Sequence, residues 1–389
     1  MKLLEHQGKA LLARHGIPTP RGVVLTSVDE LPKLRDKVPL PNVVKAQVLV
    51  GGRGKAGGIQ PATSLQETEA KAKQVLAMTI KGFPVRSVLV EEQVQVAKEV
   101  YAAVLIDRST RQPLFMVSAA GGVDIEAVPD EKIHKITVNP LVGFQPYHAR
   151  ALTVHLGLDE AQTKQAATIL RQMYEAFTAM DAELLEINPM IVAQDGRVIA
   201  ADAKVILNDP ALYRHKEYSG EDEELTPLEQ EAKRQNIAFV QLPGKIGVIA
   251  NGAGLTMATL DALLEFQGNA GVFLDLGGTD DPEQVQRAVR ILKKAQPNVV
   301  LLNLFGGITK CDTVAKGLKA VIDKEGFNVP FVARIKGTNE KEAREILRDA
   351  GFVTANTLQD AARLAVEEEK KVLAKRPAAA AAAPAGRGR

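Results

Sequence analysis

The chain has 389 residues, 46% of them hydrophobic and 25% charged, with a formal net charge of +2, one Cys and no Trp. That length exceeds what a single core supports, so two or three domains are expected. Balanced charge and an aromatic content of 4% argue against nucleic acid or an anionic membrane as partner. The lone cysteine, Cys311, rules out an intrachain disulfide framework and any multi-Cys metal site. No window has the apolar length of a bilayer span. The opening MKLLEHQGKALLARHG is an amphipathic helix start without the apolar core of a signal peptide. A cytoplasmic protein of a reducing compartment is the expectation.

Along the first half, a helix over 1–15 ends at Gly16, and GIPTPRG follows as a rigid extended turn. RGVVLT, PNVVKAQVLV, VRSVLVEEQV, AKEVYAAVLID and QPLFMVSAAGG read as strands. Within the second of these begins KAQVLVGGRGKAGG (45–58), an apolar run that breaks into a glycine loop with basic residues. Glycines expose backbone N–H groups and let a ligand approach closely, and the cations suit an anion. A solvated hairpin loop would have the same composition. The helical stretch DEAQTKQAATILRQMYEAFTAM then leads into AELLEINPMIVAQDGRVIAADAKVIL, two apolar runs around Asp195-Gly196. That dipeptide is a strong two-residue hairpin signal.

Residues 216–236 are polar and mostly charged, and the acidic run 221–224 reads as a solvated linker or helix start. From 244 onward KIGVIANGAG, AGVFLDLGGT, NVVLLNLFGGIT, VPFVARIKGT and a weaker GFVTAN alternate with helical segments. Continuous apolar strands alternating with helices predict a doubly wound parallel sheet covered on both faces. Ligands of such sheets bind at the carboxyl ends of the strands, where the first four of these strands carry glycine loops. The tail KRPAAAAAAPAGRGR reads as low-complexity and disordered.

Several constellations can carry chemistry. A two-residue turn at Asp195-Gly196 sets Asn188 opposite position 203, beside Asp202, and one residue of slack makes the two direct partners. Two hard oxygen donors side by side suit Mg²⁺ shared with nucleotide phosphates; an Asn-Pro turn beside a solvated Asp is the plainer alternative. Glu91 and Glu99 could accept from ribose hydroxyls or a base amine, and equally suit solvated strand ends. NGAGLTM (251–257) follows a strand and opens a helix, but Met257 stands where a dinucleotide fingerprint needs its third glycine. No Walker loop can be drawn through 51–58. FGGITKCD (305–312) offers free N–H groups and a helix N-terminus at the ligand edge, suited to carboxylate or phosphate. Cys311 in its first turn is conceivable as a thiolate and more readily read as packed. The histidines (His6, His15, His134, His148, His155, His215) show no metal spacing and no adjacent nucleophile, and read as structural or surface residues.

Taken in series, LLARHGIPTPRG, VVKAQV, GGRGKAGG, VLVEEQVQVAKEVY, LLEINPM and NLFGGITKCD resemble the β subunits of succinate–CoA ligase (succinyl-CoA synthetase), from residue 1 to about 370. The resemblance implies an ATP-grasp domain over 1–236, a flavodoxin-like CoA-ligase domain over 237–372, and a tail over 373–389. It implies that Lys45 holds nucleotide phosphates under a loop of Gly52, Arg53 and Gly54. Glu91 and the backbone of Val94 would take the base, Glu99 the ribose, and Asn188 with Asp202 the Mg²⁺. Asn251, Gly307, Ile308 and Thr309 would contact the organic acid. The family works by phosphoryl relay, so the phosphohistidine and most of the CoA site are expected on an α subunit in an αβ or α₂β₂ assembly. ATP or ADP, alternatively GTP or GDP, would be the nucleotide, and no residue of this chain would act as covalent catalyst. A malate–CoA ligase β subunit shares the motifs. More distant alternatives are an NAD-dependent oxidoreductase, with Asp275 as ribose acceptor, and a stand-alone carboxylate–amine ligase.

Overall fold

The computed structural model describes residues 1–34, 36–218 and 225–375. The acidic run 221–224 and the tail beyond Lys375 lie outside the described residues. Two compact units divide the chain, Met1–Asp222 and Glu223–Arg389, against the boundary at 236 expected from the sequence.

The first unit opens with α1 (Glu5–Arg14), followed by β1 (Gly22–Leu25), β2 (Asn42–Ala46), β3 (Ile59–Ala62), α2 (Leu65–Leu76), β4 (Thr79–Ile80), β5 (Phe83–Pro84) and β6 (Val88–Glu92). Strands β1, β6, β2 and β3 form an antiparallel sheet in that order. Along β2 burial alternates: Val44 and Ala46 enter a core shared with Ala72 and Val75 of α2 and with Val88 and Val90. Lys45 points to the opposite face by the period of two. The loop between β2 and β3 contains the glycines of 51–58.

The remainder of this unit is β7 (Val96–Asp107), β8 (Gln112–Ser118), β9 (His134–Thr137), α3 (Pro146–Thr153), α4 (Glu160–Ala179), β10 (Ala182–Ala193), β11 (Val198–Ala200) and β12 (Lys204–Leu207). They build a six-stranded antiparallel sheet, β11-β10-β7-β8-β9, with β12 also on β10. Helix α4 starts because Asp159 caps it, accepting from Gln162 N–H, with Gln162 answering in a capping box. Its Ile169, Leu170, Met173, Ala176 and Phe177 pack on Val100, Ala102 and Phe115 of the sheet and neighbouring residues. Burying one such side chain contributes roughly 1.5–3 kcal/mol, so this face anchors β7 and β10, which carry the candidate site.

The second unit comprises α5 (Pro227–Arg234), β13 (Ala238–Gln241), β14 (Ile246–Ala250), α6 (Ala253–Glu265), β15 (Ala270–Asp275), α7 (Pro282–Lys294), β16 (Val299–Gly306), α8 (Cys311–Glu325), β17 (Phe331–Gly337), α9 (Glu340–Asp349), β18 (Val353–Ala355) and α10 (Leu358–Ala374). The sheet order is β13-β15-β14-β16-β17-β18. All neighbours are parallel except β13, an antiparallel edge strand that the sequence pattern did not announce. Without β13 the order reads second, first, third, fourth, fifth, the flavodoxin-like doubly wound pattern. Val248 and Leu301 face Ala361 and Ala365 of α10, while Ile249 and Leu302 face Val289 of α7 and Leu318 of α8. Burial on both faces is why these strands read as unbroken apolar runs. Helix α5 packs on β13 and α7. Among the described residues no helix is long and apolar enough to cross a membrane.

Candidate functional site

In the first unit six charged side chains converge. Lys45 Nζ donates to Glu5 Oε1 at 2.9 Å, to the Ala201 carbonyl at 2.9 Å and to Glu91 Oε1 at 2.6 Å. Those three bonds use every donor of an ammonium group. Lys9 bridges Glu5 at 2.8 Å and Glu91 at 2.6 Å. Arg53 reaches Glu5 Oε2 at 2.6 Å with one nitrogen and both Asp202 oxygens, at 3.1 and 3.0 Å, with the other. Three cations thus face three carboxylates, and the cluster is neutral.

Burial alone would neutralise Lys45; Glu5, Glu91 and Asp202 outweigh it and raise its pKa further into the charged range. Burial would likewise protonate Glu5, but Lys45, Lys9 and Arg53 hold its carboxyl well below the ordinary range. Arg53 is raised by Glu5 and Asp202 against its own burial. A buried ion cluster survives only when every charge is paired, and this one is.

Glu5 and Lys9 did not figure among the sequence candidates. The signal was present: they stand four apart on the inward face of α1, with Gly8, Leu11 and Leu12. Gly8 lets the helix approach, since a Cβ there would lie 3.2 Å from Ala203 Cβ. Helix periodicity alone does not say which charges the core will cover, so the pair did not stand out in the sequence.

The hairpin turns differently from the expected two-residue loop. Ala193 N–H donates to the Arg197 carbonyl at 2.8 Å, leaving Gln194, Asp195 and Gly196 in the turn, with Gly196 at φ +86°. A left-handed glycine closing a three-residue loop is a common hairpin solution. The extra residue moves the register by one: Met190 faces Ala200 and Glu186 faces Lys204, so Asn188 stands opposite Asp202 in the gap between the two ladders. Pro189, which cannot donate, lies in that gap.

Asn188 and Asp202 each carry side-chain oxygen, the donor chemistry Mg²⁺ prefers; here the Asn188 Oδ1 accepts from the Gly122 N–H and Asp202 from Arg53. Glu186 adds a second carboxylate nearby; burial raises its pKa, and Asp202 and Glu126 raise it further against Lys204. Among the described residues no group of three or more His, Cys, Asp or Glu is placed to hold a metal ion.

Of the other candidates, Glu91 is buried between Lys9 and Lys45, whereas Glu99 is exposed. Val94 is half-buried on a small apolar cluster of Ile191, Ala193 and Ile199. Gly52 has φ +82°, and Gly58 N–H closes back on the Arg53 carbonyl at 2.8 Å, so the 51–58 loop folds on itself around Arg53. Gly54 is exposed on that loop.

In the second unit, the loops after β14 and β16 adjoin. Asn251 clasps Phe305, its Nδ2 donating to the Phe305 carbonyl and its Oδ1 accepting from the Phe305 N–H, both at 2.9 Å. Thr309 is buried and donates to the Gly277 carbonyl at 3.1 Å, while Gly307 and Ile308 are exposed. Asn251, Gly307, Ile308 and Thr309 therefore line adjacent loops of the sheet's carboxyl edge. Two expectations change here. Asp275 accepts from the N–H groups of Gly252, at 2.5 Å, and Gly277, at 2.7 Å, so it organises loops instead of awaiting a ribose. Cys311 is buried, its thiol pushed up by burial, and it donates to the Lys336 carbonyl at 3.4 Å, which removes the thiolate alternative. Four of the histidines are held by neighbours: His215 pairs with Asp181, His148 accepts from Gln145 N–H, and His134 stacks on His155.

A family model described as an ATP-grasp domain matches residues 2–192, and one described as CoA-ligase matches 249–367. The chain is 42% identical to the succinate–CoA ligase [ADP-forming] subunit beta of Rubrobacter xylanophilus, over 94% of this chain and 98% of the relative. It is 42% identical to the [GDP-forming] subunit beta of Thermus thermophilus over the same shares, and 43% to the [ADP-forming] subunit of Herpetosiphon aurantiacus, over 95% of this chain and all of the relative (100%). An ATP citrate lyase of Methanothrix soehngenii shares the fold, with a TM-score of 0.76 at 18% identity over 94% of this chain and 99% of that one. Two family matches in series and more than two-fifths identity over nearly the whole chain leave one conclusion: the chain belongs to the succinate–CoA ligase β-subunit family.

Proposed function

We propose that the first unit binds a Mg·nucleoside diphosphate or triphosphate and that the second holds succinate. With an α subunit that carries a phosphohistidine and most of the CoA site, the pair would couple succinyl-CoA, phosphate and ADP or GDP to succinate, CoA and ATP or GTP. The observation that carries this reading is the convergence of Lys45, Arg53, Asn188 and Asp202 on one face of the first unit, in a chain of this family. Val94 and the apolar cluster beneath it offer a surface for the purine, with Glu91 behind Lys45 and Glu99 free for the ribose.

Phosphoryl transfer needs positioning and charge neutralisation more than covalent chemistry from the protein. Lys45 and Arg53 supply fixed positive charge, but their donors are committed to Glu5, Glu91 and Asp202. Nucleotide entry therefore exchanges partners. Arg53 would donate to phosphate oxygens with the nitrogen that now serves Asp202, and Asp202 with Asn188 would hold the cation. Bound Mg²⁺ would neutralise the phosphate oxygens and hold them in line for attack. In the second unit, Asn251 fixes the backbone of Phe305 so that Gly307 and Ile308 offer N–H groups to a carboxylate near the start of α8.

The test is reconstitution. The purified chain should bind Mg·ADP or Mg·GDP yet show no CoA-ligase turnover until an α-type subunit is added. Turnover by the chain alone, or none with a competent α subunit, overturns the reading.

A further inference from the structure

Residues 119–124, Ala-Ala-Gly-Gly-Val-Asp, follow β8 and have no role in the reading above. They are gripped from three sides. Gly122 N–H donates to Asn188 Oδ1 and Asn188 Nδ2 donates to the Val123 carbonyl, both at 2.9 Å. Lys55 of the glycine loop pairs with Asp124 at 2.9 Å. Gly121 lies against the backbone of β7, where a Cβ would fall 2.5 Å from Val100 N.

Gly122 differs from Gly121 in what it touches. Its φ is +72°, and a Cβ there would fall 2.1 Å from Glu99 Oε2. A side chain at 121 would collide with rigid backbone, whereas one at 122 would push aside only the end of a flexible carboxylate. Glu99 is exposed, and among the described residues no hydrogen bond or ion pair holds its carboxylate. Its carboxylate lies directly against Gly122.

We infer that the Gly121–Gly122–Val123 turn, anchored by Asn188, is a positioning wall that sets Glu99 against the ribose hydroxyls of the bound nucleotide. This rests on the nucleotide reading of the site. A carboxylate can accept from both hydroxyls of a vicinal diol through charge-assisted bonds, provided that its orientation is fixed. Asn188 serves the turn with its amide and still keeps a lone pair on Oδ1 for a cation. The metal side and the ribose side of the site thus share one side chain as anchor.

The experiment is calorimetric titration of the full chain with Mg·ADP and with Mg·2′,3′-dideoxy-ADP. Wild type, Glu99→Ala, Gly122→Ala and the double variant are compared. Wild type should prefer ADP by about tenfold or more, the scale of a hydrogen bond to a charged group. Gly122→Ala should bring that preference below about twofold while dideoxy-ADP affinity stays as in wild type, and the double variant should match Glu99→Ala, as coupled neighbours do. A retained preference in Gly122→Ala, with the preference lost in Glu99→Ala, overturns the inference alone. No preference in wild type, or one retained in Glu99→Ala, overturns the ribose assignment beneath it. Gly122→Asn, whose side chain tolerates left-handed backbone, carries the same test if the alanine variant does not fold.

Discussion

At residue scale, the site's chemistry is that of saturated charges that must change partners. Asp202 holds Arg53 while it also stands across from Asn188. Asp202→Ala should weaken Mg·ADP binding by about tenfold or more, with thermal unfolding little changed because this carboxylate is one-third exposed, at 32%. Unchanged Mg²⁺-dependent affinity in the variant would remove Asp202 from the site. Lys9 is the opposite case, since its side chain is 6% exposed and it serves two buried carboxylates. Lys9→Met should cost about 3–5 kcal/mol by leaving buried negative charge uncompensated, read as a lowered melting temperature of the first unit; an unshifted transition would contradict the pairing. The Glu5 carboxyl is depressed in the folded chain, so the unfolded chain binds its proton first as pH falls. Stability from Glu5 is therefore complete above the unfolded carboxylate pKa, about 4.3, and drains away below it. Glu5→Gln should flatten that acid limb of a melting-temperature profile.

At the scale of elements, much was legible because periodicity reports burial. The strands of the second unit announced a parallel sheet by their unbroken apolar runs, and Asn188 with Asp202 could be brought together from a turn and a register. What escaped depended on contacts between elements. The turn holds three residues, not two, because Ala193 closes on Arg197, a choice that the dipeptide Asp-Gly does not dictate. Strand β13 is short and only Phe239 along it is buried, so no alternation marked it. Glu5 and Lys9 gave an amphipathic signal whose polar members proved to be inside. The ends of β16 and β17 provide a sharper test of packing. Gly306 faces Gly337, and at φ +111° a Cβ on Gly337 would lie 2.1 Å from the Gly306 carbonyl. Gly337→Ala should therefore displace the 306–309 loop and lower the second unit's melting temperature by about 2–4 °C for each kcal/mol of strain. Wild-type melting would show that the loop yields freely.

On the scale of the whole molecule, the proposed function gives this chain binding and electrostatics and assigns the covalent carrier to an α subunit. Under that division the charges of the first unit's site sit in ion pairs that a nucleotide would exchange. Family membership follows from identity along nearly the full length, whereas the choice between adenine and guanine nucleotides does not, since relatives of equal identity bear both names. The central claim is that the first unit closes on a magnesium-complexed purine nucleotide. Its most direct measurement is calorimetric titration of the purified chain with ADP, ATP, GDP and GTP, at millimolar Mg²⁺ and again with the metal chelated. Saturable heat with one purine series, weakened by chelation and by Asp202→Ala, is the expected result. Absence of heat with every one of them would contradict the account.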